Sequence, residues 1–311
     1  MEAGAQSDVS SSGEDVFRQD VFWQTMALAV LRQIRQALAT LNPRDLRELA
    51  DRPVRVGLIA PSADALRQME TYFAPFHFSP ERRAQAAQLL IRGGGPDCDI
   101  QIYDASILRP AKAFSFDAES PENCVRRILK AREDLALPLA RKLYPFRRPA
   151  IHRMIRSIAK ENALFCLTTA LPDVIPSLAM IPWAAGEFAS DTAFLTMNQI
   201  RMAFLIAAAS DRPLGYREQR SEIASIVAGA FGWRALAREL IGKVPFGGGL
   251  IPKAGIAYAG TFAVGLSLER LYRMGYGFTR AERHAVYEEA FEHGKQIASM
   301  LLANFRHSKA S

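Results

Sequence analysis

The chain has 311 residues and a mass of 34.4 kDa, with 49% hydrophobic and 23% charged residues. These are globular values, and they exclude a collagen-like, coiled-coil or wholly disordered chain; the length suggests about two domains. Lys and Arg number 39 against 32 acidic residues, a net charge of +7, which favours acidic partners such as anionic lipid or an acidic protein face.

Residues 1–14 are small, polar and slightly acidic and read as a disordered tail without the basic and apolar parts of a signal peptide. Segment 15–51 is N-terminal and helical: Val16, Val21, Phe22, Met26, Leu31, Ile34 and Leu38 recur at helical spacing over 15–41, and Asn42-Pro43 ends that helix. Residues 52–150 read as a small α/β unit. Val54–Ala60 is a buried strand by length and β-branching, and Ser62 caps a helix that runs to Phe73. The turn Gly93-Gly94-Gly95-Pro96 leads into a second strand, Cys98–Asp104, and Ser120-Pro121-Glu122 starts another helix with Pro at its first position. From Ile151 to the end the chain is apolar, rich in Ala and Gly, and helical in period. Thr279-Arg280-Ala281-Glu282 has capping-box spacing and opens a final helix to about Phe305. The predicted fold is α+β: an N-terminal helix, a small α/β unit without a phosphate loop, then an all-α C-terminal domain over 151–311.

A phosphate loop needs Gly, so that backbone N–H groups approach the phosphates, and a Lys to reach them. The turn after the first strand is Ala60-Pro61-Ser62-Ala63-Asp64-Ala65; neither Gly nor Lys lies between Leu58 and Arg92. Asp64 repels a phosphate, and Asp104 at the end of the second strand reads as a turn former. The sequence therefore argues against GTP binding and implies no cofactor and no metal. Cys98, Cys124 and Cys166 are odd in number and scattered, which fits neither a disulfide framework nor a zinc site and suits a reducing cytosol. Ser157 and Lys160 have the spacing of an acyl-transferase motif without its companions, and His284 with Glu288 reads as an ion-paired helix face.

Charge patterning gives the candidate contacts. From Leu135 to Lys160 there is no acid after Asp134, yet Arg141, Lys142, Arg147, Arg148, Arg153, Arg156 and Lys160 are all present. They are the expected contact with a membrane or anionic partner. Few aromatics interleave them, which speaks against nucleic acid. Asp173, Glu187, Asp191, Arg201 and Lys253 are charges in apolar surroundings and are expected to form a buried polar network. In it Lys253 would pair with Asp191, and Glu187 or Glu269 with Arg201, because an unpaired buried charge is costly. Gly247, Gly248 and Gly249 form a Gly-rich loop between Pro245 and Pro252, read as a sharp connection between buried helices. Pro172, Pro176 and Pro182 interrupt the apolar stretch 163–185, so buried core helices are favoured over membrane spans of about 20 residues.

The segments IAKENALFCLTTALPDVIPSLAMIPWAAGEFASDTAFLTMNQIRMAFLIAA and GWRALARELIGKVPFGGGLIPKAGIAYAGTFAVG, within Ile158–Lys295, resemble a bacterial domain of unknown function, YcjF-like, found beside Era-type or Ras-like GTPase domains. The resemblance rests on the Pro spacing, the Asp191-Thr192 and Gly260-Thr261 pairs and the Gly247–Gly249 loop. It implies an all-helical, often membrane-associated domain. The neighbouring GTPase domain of that family carries phosphate motifs that residues 52–150 lack. Two functions are therefore in view. One is a non-enzymatic interaction or membrane-associated adaptor, cytoplasmic and at or in the inner membrane, with a protein or an anionic membrane surface as partner. The alternative is a nucleotide-dependent switch or hydrolase with an unrecognised site. A shift of 69 residues also aligns Ile155–Arg201 with Ala224–Arg270, so an internal duplication of a helix pair is expected.

Overall fold

A computed structural model describes residues 41–76, 79–170, 191–229 and 249–310, together with Arg32, Ile34 and Gln36. The expected tail and most of the helix over 15–41 lie outside the described residues; Arg32, Ile34 and Gln36 are helical, and Ile34 is buried. The first complete helix, α1 (Pro43–Asp51), begins as its sequence directs: Asn42 accepts the Arg44 N–H, and Pro43 fills a position whose N–H would have no partner.

The α/β unit follows: β1 (Val56–Ile59), α2 (Ala63–Phe73), α3 (Pro80–Ala87), β2 (Leu90–Arg92), β3 (Ile100–Asp104), β4 (Phe114–Phe116) and α4 (Pro121–Ala131). The four strands are all parallel, in the order β2-β1-β3-β4. Val56 lies opposite both Leu90 and Ile100, and Ile102 opposite Phe114. Along β1, Val56 and Leu58 point into a core shared with Met69, Phe73, Ile128 and Phe146, and Gly57 faces the other way.

Over Gly57 runs an unusual connection. Strands β2 and β3 flank β1, so the chain between Arg92 and Ile100 must cross it, and it does so without a helix. The Gly93 N–H donates to the Leu58 carbonyl and the Asp99 N–H to the Arg55 carbonyl, each at 2.9 Å. A Cβ on Gly57 would lie 2.7 Å from the Gly94 Cα, and Gly93 and Gly94 adopt φ of +78° and +68°. The glycine run is thus a bridge laid across the central strand, which only residues without a Cβ permit.

A 3₁₀ turn (Glu133–Leu135) and α5 (Ala136–Lys142) lead into α6 (Tyr144–Ala170), a helix of 27 residues. The change of composition at Ile151 falls inside α6, which runs through it unbroken. Near its start Phe146 stacks on Phe73 of α2, with ring centroids 5.9 Å apart. Two turns later Ile155 packs where a Cβ on Gly265 would sit. One core therefore continues from the sheet along α6 into α7 (Asp191–Ala209) and α8 (Leu250–Met274).

The C-terminal part is helical, as expected. Helix α6 runs antiparallel to α7, since Glu161 meets Arg201 and Phe165 stacks on Phe194. It also runs antiparallel to α8, since Asn162 meets Thr261 and Ile155 meets Gly265. Residues 220–229 are helical as well. Helix α8 ends at Gly275, in the left-handed conformation at φ +85°, and turns back into α9 (Arg280–Ala310). The capping box is realised in full: the Thr279 N–H donates to Glu282 Oε2 at 2.8 Å and the Glu282 N–H to Thr279 Oγ1 at 3.2 Å. A Cβ on Gly294 of α9 would come within 2.9 Å of the Gly255 carbonyl oxygen, so here the two backbones touch. The superposition of 155–171 with 186–210 on 224–240 with 255–273, which would test the duplication, needs 230–240, which lie outside the described residues.

Candidate functional site along helix α6

The end of β1 is where a nucleotide phosphate would bind, and the turn there is capped by its own Ser62. The Ser62 hydroxyl accepts the Ala65 N–H at 3.2 Å, capping α2 from within the chain. Asp64 stands in the first turn and pairs with Arg67. Asp104 accepts both the N–H of Ser106, at 2.9 Å, and its hydroxyl, at 2.5 Å, and so closes a turn. Among the described residues no group of three His, Cys, Asp or Glu is placed to hold a metal ion. His284 and Glu288 make an exposed pair at 3.2 Å, a solvated helix face.

The seven basic residues of the run divide into two groups. Arg141 donates to Asp51 Oδ1 at 2.8 Å and to the carbonyls of Ala208 and Arg212 at 3.1 and 3.4 Å. Lys142 donates to the carbonyls of Asp51 and Arg52 at 3.1 and 3.3 Å. Arg147 donates to those of Ala140 and Arg141 at 3.3 and 3.0 Å. These carbonyls belong to the C-terminal ends of α1, α5 and α7, where helices leave acceptors without partners and carry partial negative charge. Three helix ends converge, and three cations clasp them. Burial pushes the pKa of both Lys142 and Arg147 down. These three residues, expected with the other four to contact a membrane or anionic partner, are half-buried and bonded to helix ends: a basic run crossing a junction of helix ends is drawn inward to satisfy it.

Arg148, Arg153, Arg156 and Lys160 remain exposed on α6. Arg148, His152, Arg156 and Lys160 follow at steps of four and trace a ridge about 18 Å long. Arg153 pairs with Glu133, whereas Arg148, Arg156 and Lys160 make no ion pair among the described residues. His152 lies half-buried in this ridge. Burial, offset in part by Glu269, pushes its pKa down, and Arg148, Arg156 and Arg273 add to the effect.

Further along α6 a chain of polar side chains runs between three apolar helices. Asn162, fully buried, donates to Thr261 Oγ1 at 2.6 Å and accepts from Asn198 Nδ2 at 2.8 Å. Arg201 Nε donates to Asn198 Oδ1 at 3.1 Å, and its Nη2 to Glu161 Oε2 at 2.5 Å. Thr261 passes its own proton to the Ala257 carbonyl at 2.8 Å. Among the described residues Arg201 pairs with Glu161 and not with Glu269, which instead accepts from Arg273 at 2.9 Å, one turn away on α8; Glu187 lies outside the described residues. Of the five charges expected in a buried network, Arg201 alone is seen to enter this one. Lys253 is exposed in the first turn of α8, while Asp173, Glu187 and the Asp191 side chain lie outside the described residues. So do Gly247 and Gly248; Gly249 precedes α8 with an extended backbone at φ −66°. Sequence reasoning did not place Glu161, Asn162, Asn198 or Thr261 in this network, although two amides and a hydroxyl within apolar helical stretches were a visible signal. Helix α7 is the one described helix long and apolar enough to cross a membrane, and most of that stretch is buried against its neighbours.

No protein-family model, curated protein or solved structure matches this chain.

Proposed function

We propose that this chain is a non-enzymatic adaptor related to GTPase-associated helical domains, which docks its helical part onto an anionic membrane surface on the cytoplasmic side. The observation that carries the reading is the ridge Arg148–Lys160. The basic run spends its first cations on helix ends and leaves Arg148, Arg156 and Lys160 facing water with no ion pair among the described residues, while Arg153 pairs with Glu133. A cation near an anionic bilayer gains about 1 kcal/mol. The β1–α2 turn supports the absence of nucleotide chemistry, since it has no Gly or Lys and puts the carboxylate of Asp64 in the first turn of α2.

Co-sedimentation with vesicles containing phosphatidylglycerol, compared with neutral vesicles, tests this. The full chain should bind the anionic vesicles alone, and the R148Q/R153Q/R156Q/K160Q variant should be released. Equal binding by that variant would refute the reading. Calorimetric titration with GTP and ATP should give no heat of binding, and a micromolar affinity would favour the nucleotide-dependent switch instead.

A further inference from the structure

We propose that the cavity enclosed by α1, α3, α5 and the end of α7 is a binding site for a small phosphate-class dianion, held by Arg82, Lys142 and Arg147. The cavity has a volume of about 300 Å³. That is the lower end of the range for small-molecule sites, enough for a phosphate and a few carbon atoms. Its walls carry Arg82, Arg141, Lys142 and Arg147 against two carboxylates, Asp51 and Asp211. It is separate from the exposed ridge and lies away from the β1–α2 turn, so it shares no residue with either.

An inventory of donors points to the ligand. Arg141 is used up: its Nε and Nη1 bond Asp51 and two helix-end carbonyls, and its Nη2 faces Asp211 at 3.7 Å. Arg147 makes no ion pair among the described residues, although Asp211 acts on it from further off; its Nε and Nη2 reach backbone carbonyls, and Nη1 has no acceptor among the described residues. Lys142 spends two protons on backbone carbonyls and keeps a third. Arg82 stretches from α3 to within 3.4 Å of Asp211 and is half-exposed. Gln85 and Gln88 add amides on the same wall. On the walls four cations and two glutamine amides outnumber two carboxylates, so the cavity suits a compact, doubly charged acceptor. A phosphate supplies several oxygens for charge-assisted bonds to Arg and Lys. Burial pushes the pKa of Arg147 down, with Asp211 alone offsetting it among the carboxylates of the cavity, and a bound dianion would add a second counter-charge.

Inorganic phosphate, a soluble phosphate monoester and a lipid phosphate share this chemistry. The test is calorimetric titration of the full chain at fixed ionic strength, with sodium phosphate in one arm and glycerol 3-phosphate in another. Vesicles containing phosphatidic acid form a third arm. Saturable binding of one soluble phosphate is expected, with a melting temperature that rises with its concentration. R82Q should weaken binding about tenfold, the loss of one charge-assisted hydrogen bond. D211N should tighten it at least about threefold by removing a competing carboxylate; Asp211 has φ 57°, a conformation Asn accepts, so this variant should fold. A purely structural role for these residues would not give opposite signs. The R148Q/R153Q/R156Q/K160Q variant should bind phosphate as the parent does, which separates this site from membrane docking. Failure of both soluble phosphates to bind, or an affinity unmoved by R82Q and D211N, would overturn the proposal. Binding to the phosphatidic acid vesicles alone would overturn it as well.

Discussion

At its start α6 is held by cations, and further along by small residues and amides. The first region gathers three helix ends, whose carbonyls attract Arg141, Lys142 and Arg147. The second packs helices side by side, where Gly265 admits Ile155 and Met202, and Asn162, Asn198 and Thr261 bond across the seam. The difference follows from what each junction exposes. Helix ends present unpaired acceptors and need donors with reach, whereas helix flanks have satisfied backbones and need close approach. Arg147 and Arg148 show how narrowly the choice falls: neighbours in sequence, one is bonded inside the clasp and the other is exposed.

The comparison can be broken first at the amides. Asn162→Ala removes a fully buried side chain that both donates and accepts, leaving Asn198 short of a partner. It should cost about 3 kcal/mol in chemical denaturation, by lost hydrogen bonds and by the space left behind. A loss below about 1 kcal/mol would mean that the amide chain contributes little to holding α6, α7 and α8. Arg147→Gln should cost about 1–2 kcal/mol, since two helix-end carbonyls lose their donor. Its neighbour supplies the control, and Arg148→Gln should stay within about 0.5 kcal/mol. Equal effects from the two would erase the distinction between clasp and ridge.

A smaller effect belongs to the α8–α9 hairpin. Bonds from the Thr279 backbone, Arg270 and the Thr279 hydroxyl hold the Glu282 carboxyl down at about 2. A depressed carboxyl stabilises the fold in full above its ordinary range near 4.5, and that stability is lost as pH falls toward 2. Thr279→Ala should cost about 1 kcal/mol at neutral pH. It should also flatten this acid limb, measured by thermal melts between those limits.

Much of the fold was legible in the sequence. Strand β1, the Ser62 cap, the Pro121 helix start and the Thr279 box are local signals, and the structure has each of them. Helix α3 was missed although Ser79-Pro80-Glu81 carries the same start signal as Ser120-Pro121-Glu122, whereas strands β2 and β4, of three residues each, carry too little alternation to register. The candidate site was legible only as composition. A run of cations can be counted, but which of them turns inward depends on where α1, α5 and α7 end relative to one another. The pairing of Arg201 with Glu161 likewise depends on the register between α6 and α7, which no local pattern encodes.

The glycine bridge over β1 makes that strand the best shielded in the sheet. Both its edges are paired, its core face lies against α2 and α6, and Gly94 rests on the remaining face at Gly57. Its amide protons can meet solvent only when the bridge lifts together with one neighbouring strand. Hydrogen exchange in the α/β unit should therefore be slowest along Val56–Ile59, and the exposed Gly93 makes the bridge, rather than a strand edge, the latch that sets the rate of opening.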